Sequence, residues 1–550
     1  MATKDIAIAC QGGGSRAAFT AGVLPTLMTQ FANVRVAQSG SDKPRQEPGL
    51  PNLVGISGTS GGAISALLGW YGFITGGPGE AERCLDQFWD SNCAHLPGEQ
   101  LVNFCTHAYY NFMSTIADMK FSPYTAPLAP FAAFFNDVWP QLAKGNPFMR
   151  PDYFRLPELI RPCVDFELVE AFGAFASIPF EVSRWLEGEL ETTIFAPDAP
   201  CQRRYHANQV EVERRIADHL AAAQTITQWI EQHQLPADAL LRVAFENWQP
   251  PALRFDRDAL EHLASAVQDV TCCIPTLLLG AVELEHGHFI AFSSERAPDD
   301  GGVTLDSVMA SAALPWLFKA KRVRGIDPVT REKKWYSHWD GLFSQNPPIK
   351  NFLSGLLDDR KKPDEILIVQ ISPNEASGRP GRQRDFPSKA LMAGEIWELR
   401  DSLAGNISLN QELDFVEAIN KRLYNGGMTA PKDKPIRVDR IIMDGDAVDA
   451  LAGAPVGMHA GMDRSLQQKD ALLRHGADQA QRFLTLRDKI DGLFSDLPDM
   501  LGNACRSVAG PEEVVGVPDR IAATEGSLMV EELILHRYGE PWPDNPQALV

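Results

Sequence analysis

The chain has 550 residues, 22% of them charged and 44% hydrophobic, with a formal net charge of −20. This length exceeds one typical domain and leaves ample apolar material for a large core. The acidic balance excludes general nucleic-acid binding, which needs a basic footprint. It also disfavours simple adsorption to anionic membranes, so that any peripheral membrane contact would need a local basic or apolar patch.

Residues 5–10, Asp-Ile-Ala-Ile-Ala-Cys, form an apolar run that predicts a buried strand, followed by a glycine loop at 12–14 and a helix over 15–30. The polar stretch 37–52 reads as a loop leading into the apolar run Leu53-Val54-Gly55-Ile56. Gly58-Thr59-Ser60-Gly61-Gly62 then separates that strand from the helix-like Ala63–Leu68. Residues 81–270 are mainly helical in pattern, with Pro-rich breaks and two apolar aromatic stretches, Tyr124–Trp139 and Val169–Trp185. The second of these reads as a core helix, or else as a lid or interfacial surface.

Strand character returns at Ile274–Glu283, and His288–Phe292 after Gly287 predicts a hairpin. A helix is expected over 304–313, with strands at Trp335–Trp339 and Glu365–Ser372. After a polar break at 373–387, Met392, Ile396, Leu399, Leu403 and Ile407 mark a long amphipathic helix. It runs towards Leu423 and stops at Asn425-Gly426-Gly427. Ile436–Met443 predicts a further strand, 462–495 a last helix, and the end of the chain is irregular.

The cysteines, at positions 10, 84, 93, 105, 163, 201, 272, 273 and 505, include no C-x-x-C pair and read as free thiols of a reducing compartment. The N-terminus has no signal-peptide layout, and no stretch reaches the roughly 18 apolar residues of a membrane span. The expected location is cytoplasmic. Cys272 and Cys273 with His286 and His288 offer ligand types without a metal-site spacing. Asp299-Asp300-Gly301-Gly302 reads as a turn rather than a calcium loop. No metal and no cofactor are expected.

The chemistry is concentrated in three loops. A serine flanked by glycines between a strand and a helix is the arrangement that presents a hydroxyl on a strained turn at a helix start. Gly12-Gly13-Gly14-Ser15-Arg16, also between a strand and a helix, exposes several backbone N–H groups and could bind a phosphate or an oxyanion. Ala17 stands where a dinucleotide fingerprint needs glycine, and the Walker spacing is absent. Asp340-Gly341-Leu342, trailed by Asn346-Pro347, follows a predicted strand and alone would be only a turn.

In this order the three loops resemble the patatin-like phospholipase family. Gly12–Arg16 is similar to its oxyanion loop, Gly58–Gly62 to its nucleophile elbow, and Asp340-Gly341 with Asn346-Pro347 to its aspartate loop. Ser311-Ala312-Ala313-Leu314-Pro315 with Phe318 resembles its small-residue helix end, and Ile274–Phe292 its central hairpin. The sequence departs from the family pattern at Ala17 and Leu342, where glycine, or glycine or alanine, is common.

The resemblance implies an α/β fold, a three-layer patatin-type sheet flanked by helices. The core would be 1–75 and 270–375, with a largely helical insertion at 76–269 and a C-terminal α/β extension at 376–550. Within the last, Leu399–Leu423 with Asn406–Leu413 looks like an extension of some bacterial members.

The implied activity is lipid acyl hydrolysis through a Ser60–Asp340 dyad and an acyl-serine. The oxyanion loop, Gly12, Gly13, Gly14, Ser15 and Arg16, would act through the backbone N–H groups of Gly13 and Gly14 with that of Gly61. Gly58, Gly62, Gly341 and Asn346 would support the turns, and Arg16 would brace the glycine loop. A carboxylate is a weak base at its ordinary pKa of about 4, so its site should be desolvated.

The partner expected is a lipid or other acyl ester. Two other readings stay open at this level. One is an α/β-hydrolase triad with Asp340 or Asp364 as acid and His459, His475 or His536 as base. The other is a non-catalytic module that binds lipid or nucleotide. His338 reads as a pocket or core histidine.

Overall fold

The structure is a computed structural model and describes residues 4–31, 51–106, 146–194, 200–315, 318–326, 333–354, 358–371, 393–426, 435–444 and 463–508. Its strands are β1 (Asp5–Cys10), β2 (Asn52–Thr59), β3 (Thr276–Glu283), β4 (Phe289–Ser293), β5 (Lys321–Ile326), β6 (Lys333–Asp340), β7 (Glu365–Gln370) and β8 (Arg437–Ile442). The longer helices are α1 (Ala18–Met28), α2 (Gly61–Ser91), α3 (Phe166–Ala176), α4 (Ile178–Ile194), α5 (Pro200–His233) and α6 (Arg257–Thr271). They continue with α7 (Leu305–Ser311), α8 (Ala393–Gly426) and α9 (Leu466–Val508).

β1 is buried on both faces, as its unbroken apolar run requires of a central parallel strand. It pairs in parallel with β2 on one side and β7 on the other. β3 extends the parallel set beyond β2, and β8 extends it beyond β7. The strand order is β5-β6-β3-β2-β1-β7-β8, with β4 paired to β3. β4, β6 and β5 run antiparallel to the strands they pair with. The fold is therefore α/β, a mostly parallel sheet flanked by helices. β5 was not expected: its Lys-Arg-Val-Arg-Gly composition hides a strand that survives at the sheet edge, where charges are tolerated.

Helices occupy the regions expected to be helical, and the last of them runs on to Val508, beyond the expected end at 495. α2 bends at Gly77, whose φ of 77° precedes Pro78, a residue that cannot continue the helical hydrogen bonding. The apolar stretch Val169–Trp185 lies in α3 and α4 as core. Phe172 and Phe175 are buried, Phe172 packs on Trp70 at 6.0 Å, and Phe175 packs on Phe245 and Trp248. Phe180 lies between the guanidinium groups of Arg184 and Arg296.

α8, β8 and α9 all pack on the same body. β8 adds to the sheet, α9 lies along α1, and the His475 ring of α9 meets Phe19 at 5.4 Å. Tyr124–Trp139, His459, His536, the breaks at 37–50 and 373–387, and residues 509–550 lie outside the described residues. Among the described residues no helix is long and apolar enough to cross a membrane.

Buried charge ties the helical region to the sheet. Glu181 on α4 is paired with Arg215 on α5 at 2.8 Å and with Arg184 at 3.2 Å. Asp299 takes Arg215 and Lys333, while Asp300 takes Arg184. The Asp299–Gly302 segment is the turn expected of it, with both carboxylates held by cations.

Beside this cluster the His219 imidazole meets the Ser177 hydroxyl at 3.0 Å. Burial, with Arg215 nearby, pulls its pKa down from 6.5 to about 4. Between those values the unfolded chain binds the proton and the native state does not. The contribution is thus fully present above about pH 6.5 and is lost as the pH falls through about 4. Over that window acidification should cost on the order of 3 kcal/mol through this residue. Denaturant titrations of wild type and His219→Gln across the range should show the slope flattened in the variant.

Candidate functional site

Ser60 is the single residue between β2 and α2, with φ 56° and ψ −128°, a conformation a non-glycine residue adopts at a cost of about 1–3 kcal/mol. The turn is over-determined by its neighbours. The Ser60 carbonyl accepts from the N–H groups of Ala63 and Ile64, opening α2. The Ser60 N–H donates to Ser311 Oγ at 3.1 Å, and Ser311 Oγ donates to the Gly280 carbonyl at 2.7 Å. One hydroxyl at the end of α7 therefore joins the serine turn to β3.

Asp340 ends β6 and is completely buried. Its Oδ1 accepts from the Leu342 N–H at 2.9 Å, and its own N–H donates to the Ala313 carbonyl at 3.0 Å. The register brings it to Ser60. β2 pairs with β3 up to Thr59 opposite Gly280, and β6 pairs with β3 from Asp340 opposite Ala281. β4 overlaps both pairings along β3, so β2 and β6 must occupy the same, opposite edge. The C-terminal ends of the two strands abut there, so the serine turn and Asp340 lie at neighbouring positions along β3.

The glycine loop closes over this junction. Gly12 N–H donates to Asn346 Oδ1 at 2.7 Å, and a Cβ at Gly12 would lie 2.5 Å from the Thr59 carbonyl and 2.9 Å from Ser60 Cβ. No side chain fits there. Thr59 Oγ1 donates to the Gln345 carbonyl at 2.5 Å. All three predicted loops are thus locked together, Gly12 to Asn346, Thr59 to Gln345, and Gly61 against the Gly14 carbonyl.

Gly14 has φ 61° and starts a 3-10 turn, Gly14–Ala17, that leads into α1. Ser15 lines a small cavity with Asn92, Cys93 and Arg464, and Arg16 is half-buried in the same turn. Gly58 and Gly62 pack against each other, and Gly62 meets the carbonyls of Cys10 and Gln11. Gly341 lies on the Gly280 carbonyl.

The described candidate histidines, His338 and His475, and the second acid, Asp364, have partners of their own. His338 is buried, with Nδ1 3.1 Å from the Tyr336 carbonyl and its ring against Phe292 at 5.4 Å. Burial pulls its pKa down. His475 Nε2 accepts from the Asp444 N–H, on the α1–α9 side of the fold. Asp364 Oδ2 accepts from the Asp5 N–H, at the opposite end of the sheet from Ser60.

Cys272 and Cys273 sit before β3 and the histidines of the hairpin beyond it, so the strand separates them. Glu283, His286 and His288 are the described residues whose ligand atoms come within 4.8 Å of one another. The Glu283 carboxylate already accepts from the His286 N–H and meets its ring at 3.1 Å, a local hydrogen-bonded pair at a hairpin tip.

Thr59, Ser311 and Gln345 were not singled out as site residues from the sequence. A hydroxyl residue next to an elbow glycine is the sequence signal for Thr59, and the small-residue run before Pro315 the one for Ser311.

A comparison with curated proteins returned no match. A family model described as patatin-like phospholipase matches residues 8–353, more than half of the chain and inclusive of all three loops. The chain belongs to the patatin-like phospholipase family, whose general activity is lipid acyl hydrolysis.

Proposed function

We propose that the protein hydrolyses carboxylic esters of lipids with Ser60 as nucleophile and Asp340 as the base. The observation that carries this reading is the abutment of the β2 and β6 ends on one edge of β3, with a strained serine on one side and a buried aspartate on the other.

In the acylation step Asp340 takes the Ser60 hydroxyl proton as Oγ attacks the acyl carbonyl. The tetrahedral oxyanion rests on backbone N–H groups of Gly13 and Gly14, with that of Gly61. Gly12 is left out of this set, because its N–H is committed to Asn346. Collapse expels the alcohol, which takes its proton from Asp340. Water, deprotonated by the same carboxylate, then attacks the acyl-serine; the acyl–Oγ bond breaks, Asp340 returns the proton to Ser60 Oγ, and the fatty acid leaves. No histidine takes part, in keeping with the engagement of His338 by β4 and its own strand.

A fluorophosphonate probe should label wild type on Ser60, with peptide mapping as the readout. Ser60→Ala should lose the label and at least about 1,000-fold in kcat on p-nitrophenyl butyrate. Labelling elsewhere, or none with ester turnover absent, contradicts the reading. Asp340→Asn should abolish turnover, whereas His338→Ala should stay within about fivefold of wild type; the reverse pattern would assign the base to the histidine. Gly12→Ala must displace either the elbow or the Asn346 contact, so kcat/KM should fall by at least about tenfold.

A further inference from the structure

The polar contacts beneath the aspartate loop come from a helix that lies beyond the family match. Along α8, Gly405, Ser408 and Glu412 recur at three- and four-residue spacing on one face, with Asn406 beside them. All four are buried. Asn406 Oδ1 accepts from Gln11 Nε2 at 3.1 Å, and Gln11 Oε1 accepts from the Ile371 N–H, which anchors the residue just before the glycine loop. Ser408 Oγ accepts from the Asn346 N–H at 3.0 Å, while the other end of Asn346 holds Gly12.

Glu412 Oε2 accepts from the N–H groups of Ile349 and Lys350 at 2.8 and 2.7 Å. Its Oε1 lies 3.7 Å from Lys350 Nζ. Gly405 completes the face, because a Cβ there would come within 2.8 Å of Asn346 Nδ2 and 3.2 Å of Leu342 Cδ1. The absent side chain makes room for the bulky Leu342 directly after Asp340-Gly341.

We propose that α8 is a strap that positions the aspartate and glycine loops for reaction, with Glu412 as its principal positioning residue; this rests on the hydrolase reading above. The loop from Asp340 to Lys350 is fixed at one end by β6 and at the other by the Glu412 carboxylate. Between them Gln345 and Asn346 clamp Thr59 and Gly12. Charge-assisted bonds to two backbone N–H groups are the strong kind, and a buried N–H left without its acceptor drives the backbone to move. Displacement of the loop by about 1 Å would separate the reacting groups without altering the acyl-binding surface, so kcat should fall and KM should not.

The test uses the full chain, p-nitrophenyl butyrate kinetics, the fluorophosphonate labelling rate at Ser60, and hydrogen exchange of residues 341–350. Glu412→Ala should lower kcat about 10- to 100-fold with KM within about twofold, and labelling should slow in parallel. Glu412→Gln should recover most of the loss, because a single oxygen accepts both N–H groups.

Ser408→Ala, a smaller change, should lower kcat several-fold and speed exchange in 341–350, and it keeps the proposal testable if Glu412→Ala does not fold. Folded variants with a lower Tm but wild-type kcat, labelling and exchange would overturn the strap. If wild type turns over ester and takes the label while these variants behave alike, the strap fails and the hydrolase reading stands. A wild type inert to both reagents overturns the reading and the strap with it.

Discussion

Everything at the site depends on how one strand edge is shared. β3 offers Thr276–Gly280 to β2 and Ala281–Glu283 to β6 along the same edge, so two strands of opposite direction end against each other. The backbone must leave the sheet on both sides of that junction. On one side it does so through Ser60 in a left-handed conformation, on the other through Asp340-Gly341. The Ser311 hydroxyl fixes the seam by accepting from Ser60 N–H and donating to the Gly280 carbonyl. A parallel sheet alone would place a serine turn at the ends of its strands. The antiparallel arrival of β6 is what brings Asp340 to the neighbouring position along β3.

The rest of the architecture holds this junction in place. Gly12 cannot carry a side chain because the Thr59 carbonyl and Ser60 Cβ occupy the space, and the resulting closeness brings the glycine loop over the serine. The loops are joined to one another by single hydrogen bonds from Thr59 and Gly12. They are backed by α8, whose buried Ser408 and Glu412 supply acceptors that irregular backbone would otherwise lack, while Asn406 holds the Gln11 side chain. Strain at Ser60 is thus offset by a network spread over residues distant in sequence, the pattern expected where geometry serves function.

Much of this was legible in the sequence because it is written in local chemistry. The apolar run 5–10 indicated a buried strand, and glycines around Ser60 and at 12–14 announced tight turns. The Val169–Trp185 stretch was ambiguous, since apolarity alone does not distinguish a core helix from a lid, and packing on Trp70, Phe245 and Trp248 decided for the core. What stayed hidden was non-local. Nothing near Gln345 or Ser311 in sequence indicates that their partners are Thr59 and Ser60. Glu412, one acid on a helix rich in them, gains its meaning only from the Ile349 and Lys350 amides it meets. β5 was masked by its own charges.

The most direct measurement is the crystal structure of the protein inactivated by a fluorophosphonate. The account predicts phosphorus bonded to Ser60 Oγ, the phosphonyl oxygen against the N–H groups of Gly13 and Gly14, and an Asp340 carboxylate oxygen within hydrogen-bond reach of Ser60 Oγ. An adduct on another residue, or an imidazole in the place assigned to Asp340, would contradict it.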